Sequence, residues 1–250
     1  MKISVVTVCL NAADTVGDTL DSLAAQTYPE VEHVVMDGGS TDGTLEILVG
    51  RRGQIACLES GPDRGLYHAM NKGIARATGE VIGTLNADDV YAHERVLERV
   101  AEVFADPAVE ACYADLVYVD PRRPQRVVRY WTSCPYRPGL FERGWIPAHP
   151  TFFVRRRVYA QWGAFDTRYR FHADTELTLR FLAVAGIRSV YVPEVWVRMR
   201  LGGTTNRSLA NIIRGNLESY RACRRHGLKV TPLYFPVKFL SRLPQFLRRP

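Results

Sequence analysis

The sequence predicts an α/β fold: a mostly parallel sheet flanked by helices. Three observations carry this. The first 90 residues alternate short β-branched runs with helical periodicity, the β-α-β order that parallel sheets require. Three of the runs end in a polar residue, Asn11, Asp37 and Asp88, where open α/β sheets bind ligands. The 250 residues are 46% hydrophobic and 24% charged, an ordinary globular balance for one large domain or a domain with an appendage.

The elements follow in order. Residues 3–10, ISVVTVCL, read as a buried strand. A helix follows, capped by Asp14, with Val16, Leu20, Leu23 and Ala24 on one face. Residues 33–37 form a second strand, ending in the loop GGSTDGT, and Leu45, Ile47 and Leu48 mark a second helix. Residues 54–60 are the third strand, 65–77 the third helix, and EVIGTL at 80–85 the fourth strand. A helix near 93–105 follows, for which Asp89 is a candidate cap. Beyond it, 112–119 and 126–131 read as strands joined by a turn at 121–124. A loop rich in Pro, Gly and aromatics covers 133–150, then a short strand at 151–154. Helices are expected at 174–185 and 206–226, with a strand at 189–192 between them.

Several classes are disfavoured. After the first strand stands CLNAADT, which is neither the GxGxxG of a dinucleotide fold nor a P-loop. Nor is it the Gly-rich, basic loop of a nucleotidyltransferase. The five cysteines are scattered without a CxxC pair, so no zinc site or disulfide framework is expected and a reducing compartment fits. No apolar run approaches the ~18 residues of a membrane span. The net charge of +7 is local: residues 219–250 hold eight Lys and Arg and no Asp or Glu. Without a nucleic-acid motif, nucleic acid is not the expected partner.

Asp88 and Asp89 are adjacent carboxylates just past a buried strand. Such a pair suits a hard cation, Mg²⁺ or Mn²⁺, that also meets substrate phosphates. The bland reading is a turn residue followed by a helix cap.

At this point the residues resemble a family. The blocks TVCLN at 7–11, VVMDGGSTDGT at 34–44, SGPDRGLYHAMNKGIARATGE at 60–80, LNADD at 85–89, AHPTFFVRR at 148–156 and GAFDTRYRFHADTELTLR at 163–180 are similar to those of family 2 glycosyltransferases of the GT-A fold, among them bacterial exopolysaccharide and colanic-acid-type enzymes. They stand in the family's order and cover roughly residues 1–200. The resemblance implies a GT-A domain at 1–205, with a nucleotide-binding part at 1–110 and an acceptor-side part at 111–205, and a basic helical extension at 206–250. It implies an inverting transfer of a sugar from a nucleotide-sugar, typically a UDP-sugar, to a glycan or lipid-linked acceptor.

Residue by residue, the resemblance puts Thr7 and Asn11 at the start of the nucleotide pocket. Asp37 matches the acid that reads the base, where a carboxylate accepts the uracil imide N–H; Gly38 replaces the neighbouring acid common in the family. Asp63, Asn71 and Lys72 are donor-side positions. The family's Asp-x-Asp reads Asn86-Ala87-Asp88 here, so Asp88 is the expected metal ligand and Asn86 a ribose contact, with Asp89 a possible second ligand. Asp174 matches the general base that takes the acceptor hydroxyl's proton; its bland reading is a helix cap. Glu176, two residues on, points elsewhere. His149, Trp145, Arg198, Arg200 and the loop at 202–206 are acceptor or diphosphate candidates. Each has a bland reading too, such as core packing for Trp145.

The basic tail interleaves cations with Phe and Leu, which suits an anionic membrane surface. An enzyme acting on a polyprenyl-diphosphate-linked acceptor would sit there, cytoplasmic and peripheral on the inner face of the plasma membrane. The bland reading is a helix packed on the domain with a solvated charged face. A non-catalytic, membrane-associated nucleotide-sugar-binding protein of the same fold is the alternative function.

Overall fold

One sheet of nine strands runs through the protein, and the computed structural model describes residues 1–202 and 208–247. Its first half is the predicted parallel unit. The elements are β1 (Ile3–Cys9), α1 (Val16–Ala24), β2 (Val31–Asp37), α2 (Thr44–Gly50), β3 (Cys57–Ser60), α3 (Leu66–Arg76) and β4 (Val81–Thr84). The strands lie side by side as β3-β2-β1-β4, all parallel. Every residue of β1 is buried, because helices cover both faces of a parallel sheet. Register fixes the ligand edge: Cys9 lies opposite Asp37, and Asp37 opposite Ser60. Three strand ends therefore finish level. α1 begins at Val16 with no side-chain cap, so Asp14 does not cap it.

The second half is mixed. It comprises β5 (Asp89–Tyr91), α4 (Val96–Phe104), β6 (Ala111–Asp120), β7 (Arg123–Trp131), β8 (Phe153–Arg155), α5 (Arg156–Trp162), α6 (Ala173–Leu179) and β9 (Ser189–Arg200). β8 joins antiparallel to both β4 and β6, so the sheet continues as β4-β8-β6-β9-β5, with β7 paired on β6. Two features depart from expectation. Asp89 opens strand β5, paired with Met199 of β9, and α4 starts only at Val96, so Asp89 caps no helix. β9 is 12 residues long rather than the short strand expected, because it continues past Pro193. Its register on β6 jumps from Val192 to Val195. A proline cannot donate to the ladder, and a bulge absorbs it.

The chain ends in α7 (Leu209–Arg225), α8 (Tyr234–Leu240) and α9 (Pro244–Leu247). α7 and α8 share the main core: Ala222, Cys223 and Tyr234 are buried in it. No described helix is long and apolar enough to cross a membrane. The five cysteines are free.

Candidate active site

The site lies where the ends of the parallel strands meet the start of α6. At its donor edge Asp37 is 0% exposed. Its carboxylate accepts from the Ser40 hydroxyl at 2.5 Å, the Ser60 hydroxyl at 2.6 Å and the Gly39 and Ser40 N–H groups. Burial raises its pKa, but these donors outweigh it and hold the group below the usual carboxylate range. Asp37 therefore shapes the Gly-Gly-Ser loop from beneath. Asn11 sits above it in the left-handed region at φ 52°, its side-chain oxygen accepting the Thr41 N–H at 2.9 Å. Asp42 accepts from the Ala13 and Thr44 N–H groups, tying the loop to the chain after β1 and to the start of α2. Asp63 is gripped by His68 at 2.9 Å and Lys72 at 3.2 Å; its second oxygen is buried without a partner.

Asn86, Ala87, Asp88 and Asp89 form the turn from β4 into β5. The Asn86 amide donates to Asp89 at 3.1 Å. Asp89 is fully buried, and its other oxygen and that of Asn86 are buried without partners. Burial and the neighbouring Asp88 push the Asp89 pKa up, and burial pushes Asp88 up as well, against the pull of Arg200. Two crowded carboxylates, with an orphaned oxygen on Asp89 and another on the neighbouring Asn86, have Arg200 as their nearby positive influence and room for more. Among the described residues no third His, Cys, Asp or Glu joins them. That donor set fits Mg²⁺ or Mn²⁺, which bind through one or two carboxylates and take further ligands from substrate phosphate and water.

Across the pocket stands Asp174. It occupies the first turn of α6, and His172 is the residue at the cap position, so Asp174 is no N-cap. Its side chain is 12% exposed, and Oδ2 lies 2.9 Å from His149 Nδ1. Nδ1 makes no well-aligned hydrogen bond, so the contact is a close approach of ring nitrogen and carboxylate oxygen. Oδ1 accepts from the Tyr67 hydroxyl at 3.3 Å. Burial opposes ionisation, but His149, then His172, outweigh it and hold the carboxyl well below its usual range. Asn86, Thr84, Tyr67, His149 and Asp174 line one pocket. Glu176 turns away to Arg180 at 3.0 Å and His226 at 2.7 Å.

Several expected contacts lie elsewhere. Thr7 is buried mid-strand, its hydroxyl 2.9 Å from His33 Nε2, and reaches no nucleotide edge. Asn71 clamps the Phe165 backbone through both amide atoms, at 2.8 and 2.9 Å. Trp145 packs among Tyr113, Tyr136 and Phe141, the core role. Arg198 donates to the Pro124 carbonyl. Arg200 pairs with Asp18 while still acting on Asp88, so it stays at the donor edge. Of the loop at 202–206, residues 203–206 lie outside the described residues.

The sequence also holds supports that its motifs did not single out. Glu218 of α7 accepts the N–H groups of Arg170, Phe171 and His172 at 2.8–3.1 Å, fixing the chain that leads into α6. The His172 imidazole meets the Ser219 hydroxyl at 2.5 Å, and burial pushes its pKa down to about 4. The available signal was that Glu218 is the last acidic residue before an acid-free stretch.

The family model of glycosyl transferase family 2 matches residues 4–162. A "PGL/p-HBAD biosynthesis glycosyltransferase" of Mycobacterium bovis is 31% identical over 207 residues, covering 81% of this chain and 78% of the relative. The putative glycosyltransferase EpsE of Bacillus subtilis is 26% identical over 249 residues, covering 96% and 88%. Among solved structures, Staphylococcus aureus TarS 1–349 in complex with UDP-GlcNAc superposes with TM-score 0.69 at 18% identity, covering 97% of this chain and 72% of that one. The mannosyltransferase PcManGT of Pyrobaculum calidifontis, in complex with GDP-Man and Mn²⁺, gives TM-score 0.67 at 24% identity, covering 96% and 69%. The fold is that of the GT-A glycosyltransferases, and the chain belongs to glycosyl transferase family 2.

Proposed function

We propose that the protein is a metal-dependent inverting glycosyltransferase, with Asp174 as the base. It takes a sugar from a nucleotide-sugar, most simply a UDP-sugar, and passes it to a glycan or lipid-linked acceptor in polysaccharide assembly. The carrying observation is the Asp174–His149 pair, sharing a pocket with Asn86 and thus facing the turn that holds Asp88 and Asp89. One wall has room for more positive charge; the other holds an ionised carboxylate. The UDP-GlcNAc and GDP-Man complexes of similar folds support a nucleotide-sugar donor.

In this reading the loop shaped by Asp37 receives the base, and Asn86 meets the ribose. Asp88, with Asp89 behind it, would hold Mg²⁺ or Mn²⁺, which neutralises charge on the departing diphosphate. Asp174 accepts the proton of the acceptor hydroxyl as that oxygen attacks the anomeric carbon from the side opposite the nucleotide. His149 keeps the carboxylate ionised and oriented. No group need form a covalent intermediate. The work is cytoplasmic, on the inner face of the plasma membrane.

Thermal-shift titration with UDP and GDP, with and without Mn²⁺, tests the donor side. A metal-dependent rise in melting temperature is expected, lost in Asp88→Asn. Asp174→Asn should keep that rise and lose turnover by about 10²–10⁴-fold. No nucleotide binding in the wild type sinks the proposal, while binding without turnover in the wild type favours a non-catalytic binder.

A further inference from the structure

The C-terminal segment is amphipathic with its polarity reversed. Leu233, Val237, Phe239, Leu240, Leu243 and Phe246 point outward, 39–67% exposed. The cations between them turn inward: Lys238 is 1% exposed, and Arg242 is half-buried. The Lys238 stem lies against Gly144, where a Cβ would come within 2.5 Å of it. Among the described residues its ammonium finds only the Ser219 and Tyr234 hydroxyls, at 3.4 and 3.5 Å, and the Tyr234 ring. A third cation stands beside them. Arg129 of β7 donates to Gln245 of α9 at 2.8 Å and lies over the Tyr118 and Trp131 rings at 4.9 and 5.6 Å. Trp131 is edge-on to His149 at 6.4 Å.

Among the described residues no carboxylate comes within ion-pair distance of Lys238, Arg242 or Arg129. Arg242 depresses the pKa of both other cations, and the carboxylate that Lys238 and Arg242 feel is Asp174. Burial brings Lys238 down to about 7. An anion received among these three groups would be stabilised by them and would hold Lys238 protonated.

We propose that Arg129, Lys238 and Arg242 bind the phosphate or diphosphate of a lipid-linked acceptor, whose hydrocarbon chain lies along the exposed apolar face of α8 and α9. The inference rests on reading Asp174 as the acceptor's base; it adds where the anion sits and what the tail is for. Charge and apolar surface adjoin in the order a charged-head amphiphile needs. A bulk phospholipid headgroup stays at the bilayer surface, whereas Lys238 is reached only by a group that leaves it. The apolar face, not the cations, then meets the membrane.

Calorimetric titration of the full chain with decyl phosphate, decanol and inorganic pyrophosphate, without donor or metal, tests this. Decyl phosphate should bind, decanol far more weakly. Arg242→Gln should weaken decyl phosphate and pyrophosphate by about tenfold or more. Phe239→Ser with Leu240→Ser should weaken decyl phosphate alone. Lys238 is buried, so its replacement also disturbs packing; Arg242→Gln on a half-buried side chain carries the test. Phosphatidylcholine vesicles with phosphatidylglycerol should bind wild type and Arg242→Gln equally. The idea is overturned by an unchanged decyl phosphate affinity in Arg242→Gln, by a parallel loss on those vesicles, or by full displacement of decyl phosphate by UDP. Nucleotide binding is read separately, so failure of the donor reading and failure of this subsite give different results.

Discussion

At the residue scale, Asp174 and His149 act as a pair. His149 is the largest of the influences that oppose the burial penalty on Asp174. On the proposal that Asp174 is the base, it works deprotonated, and the acidic limb of kcat/KM reports its pKa. His149→Ala removes the largest influence opposing burial, and the Asp174 pKa rises. The acidic limb should therefore move to higher pH, while nucleotide affinity at neutral pH stays unchanged; a pH–rate profile of the two proteins reads this. The same shift has a stability consequence. A depressed carboxylate stabilises the fold above its unfolded value of ~3.9, and that contribution is lost as pH falls through the lower folded value. His149→Ala should lose less stability than wild type across that acid window, measured by urea denaturation. Asp174 was legible in the sequence because FHADTEL is a local block. Its partner's contact was not, since His149 arrives from a separate loop. Thr7 and Asn71 show the converse limit. A motif places a residue near a site, but strand alternation and loop contacts decide where its side chain points.

At the element scale, the pocket depends on close approaches and on one buttress. Gly83 of β4 lies under Phe153 of β8, and a Cβ there would come within 2.3 Å of the ring. Gly83→Ala should cost about 1–3 kcal/mol by overpacking. A Gly83→Ala, Phe153→Leu pair should lose less than the sum of its parts, as a double-mutant cycle in urea would show. Glu218 is the buttress. Glu218→Gln replaces one oxygen with an amide NH2 group, a donor that faces backbone donors. It should cost about 2–4 kcal/mol and lower kcat while leaving the donor KM unchanged. The parallel β1–β4 unit was readable because its hydrogen bonds join short-range β-α-β neighbours. β5 and the far half of β9 were not. Three residues opening on Asp89 look like a cap until β9 arrives from Met199 to pair with them, and Pro193 hides the continuity that the bulge restores.

At the scale of the whole molecule, the question is whether residues 206–250 are an appendage. Residues 203–207 lie outside the described residues, but the contacts on either side bear on the answer. α7 buries Ala222 and Cys223 in the main core, and Glu218 and Ser219 hold the start of α6. α8 contributes Tyr234 and Lys238 to the interior, while α8 and α9 leave their apolar face outside. The two parts should therefore respond differently to truncation. A chain ending at residue 207 exposes core and removes the acceptor for three backbone N–H groups beside Asp174. It should lose cooperative unfolding or melt far below the full chain. A chain ending at residue 230 keeps α7, so it should fold, bind UDP with Mn²⁺ as the full chain does, and lose decyl phosphate binding. Calorimetric melting with both titrations separates the outcomes. If the shorter chain melts like the full one, α7 is an appendage after all. If the chain ending at residue 230 also loses nucleotide binding, α8 and α9 support the donor half through a route that the described contacts do not contain.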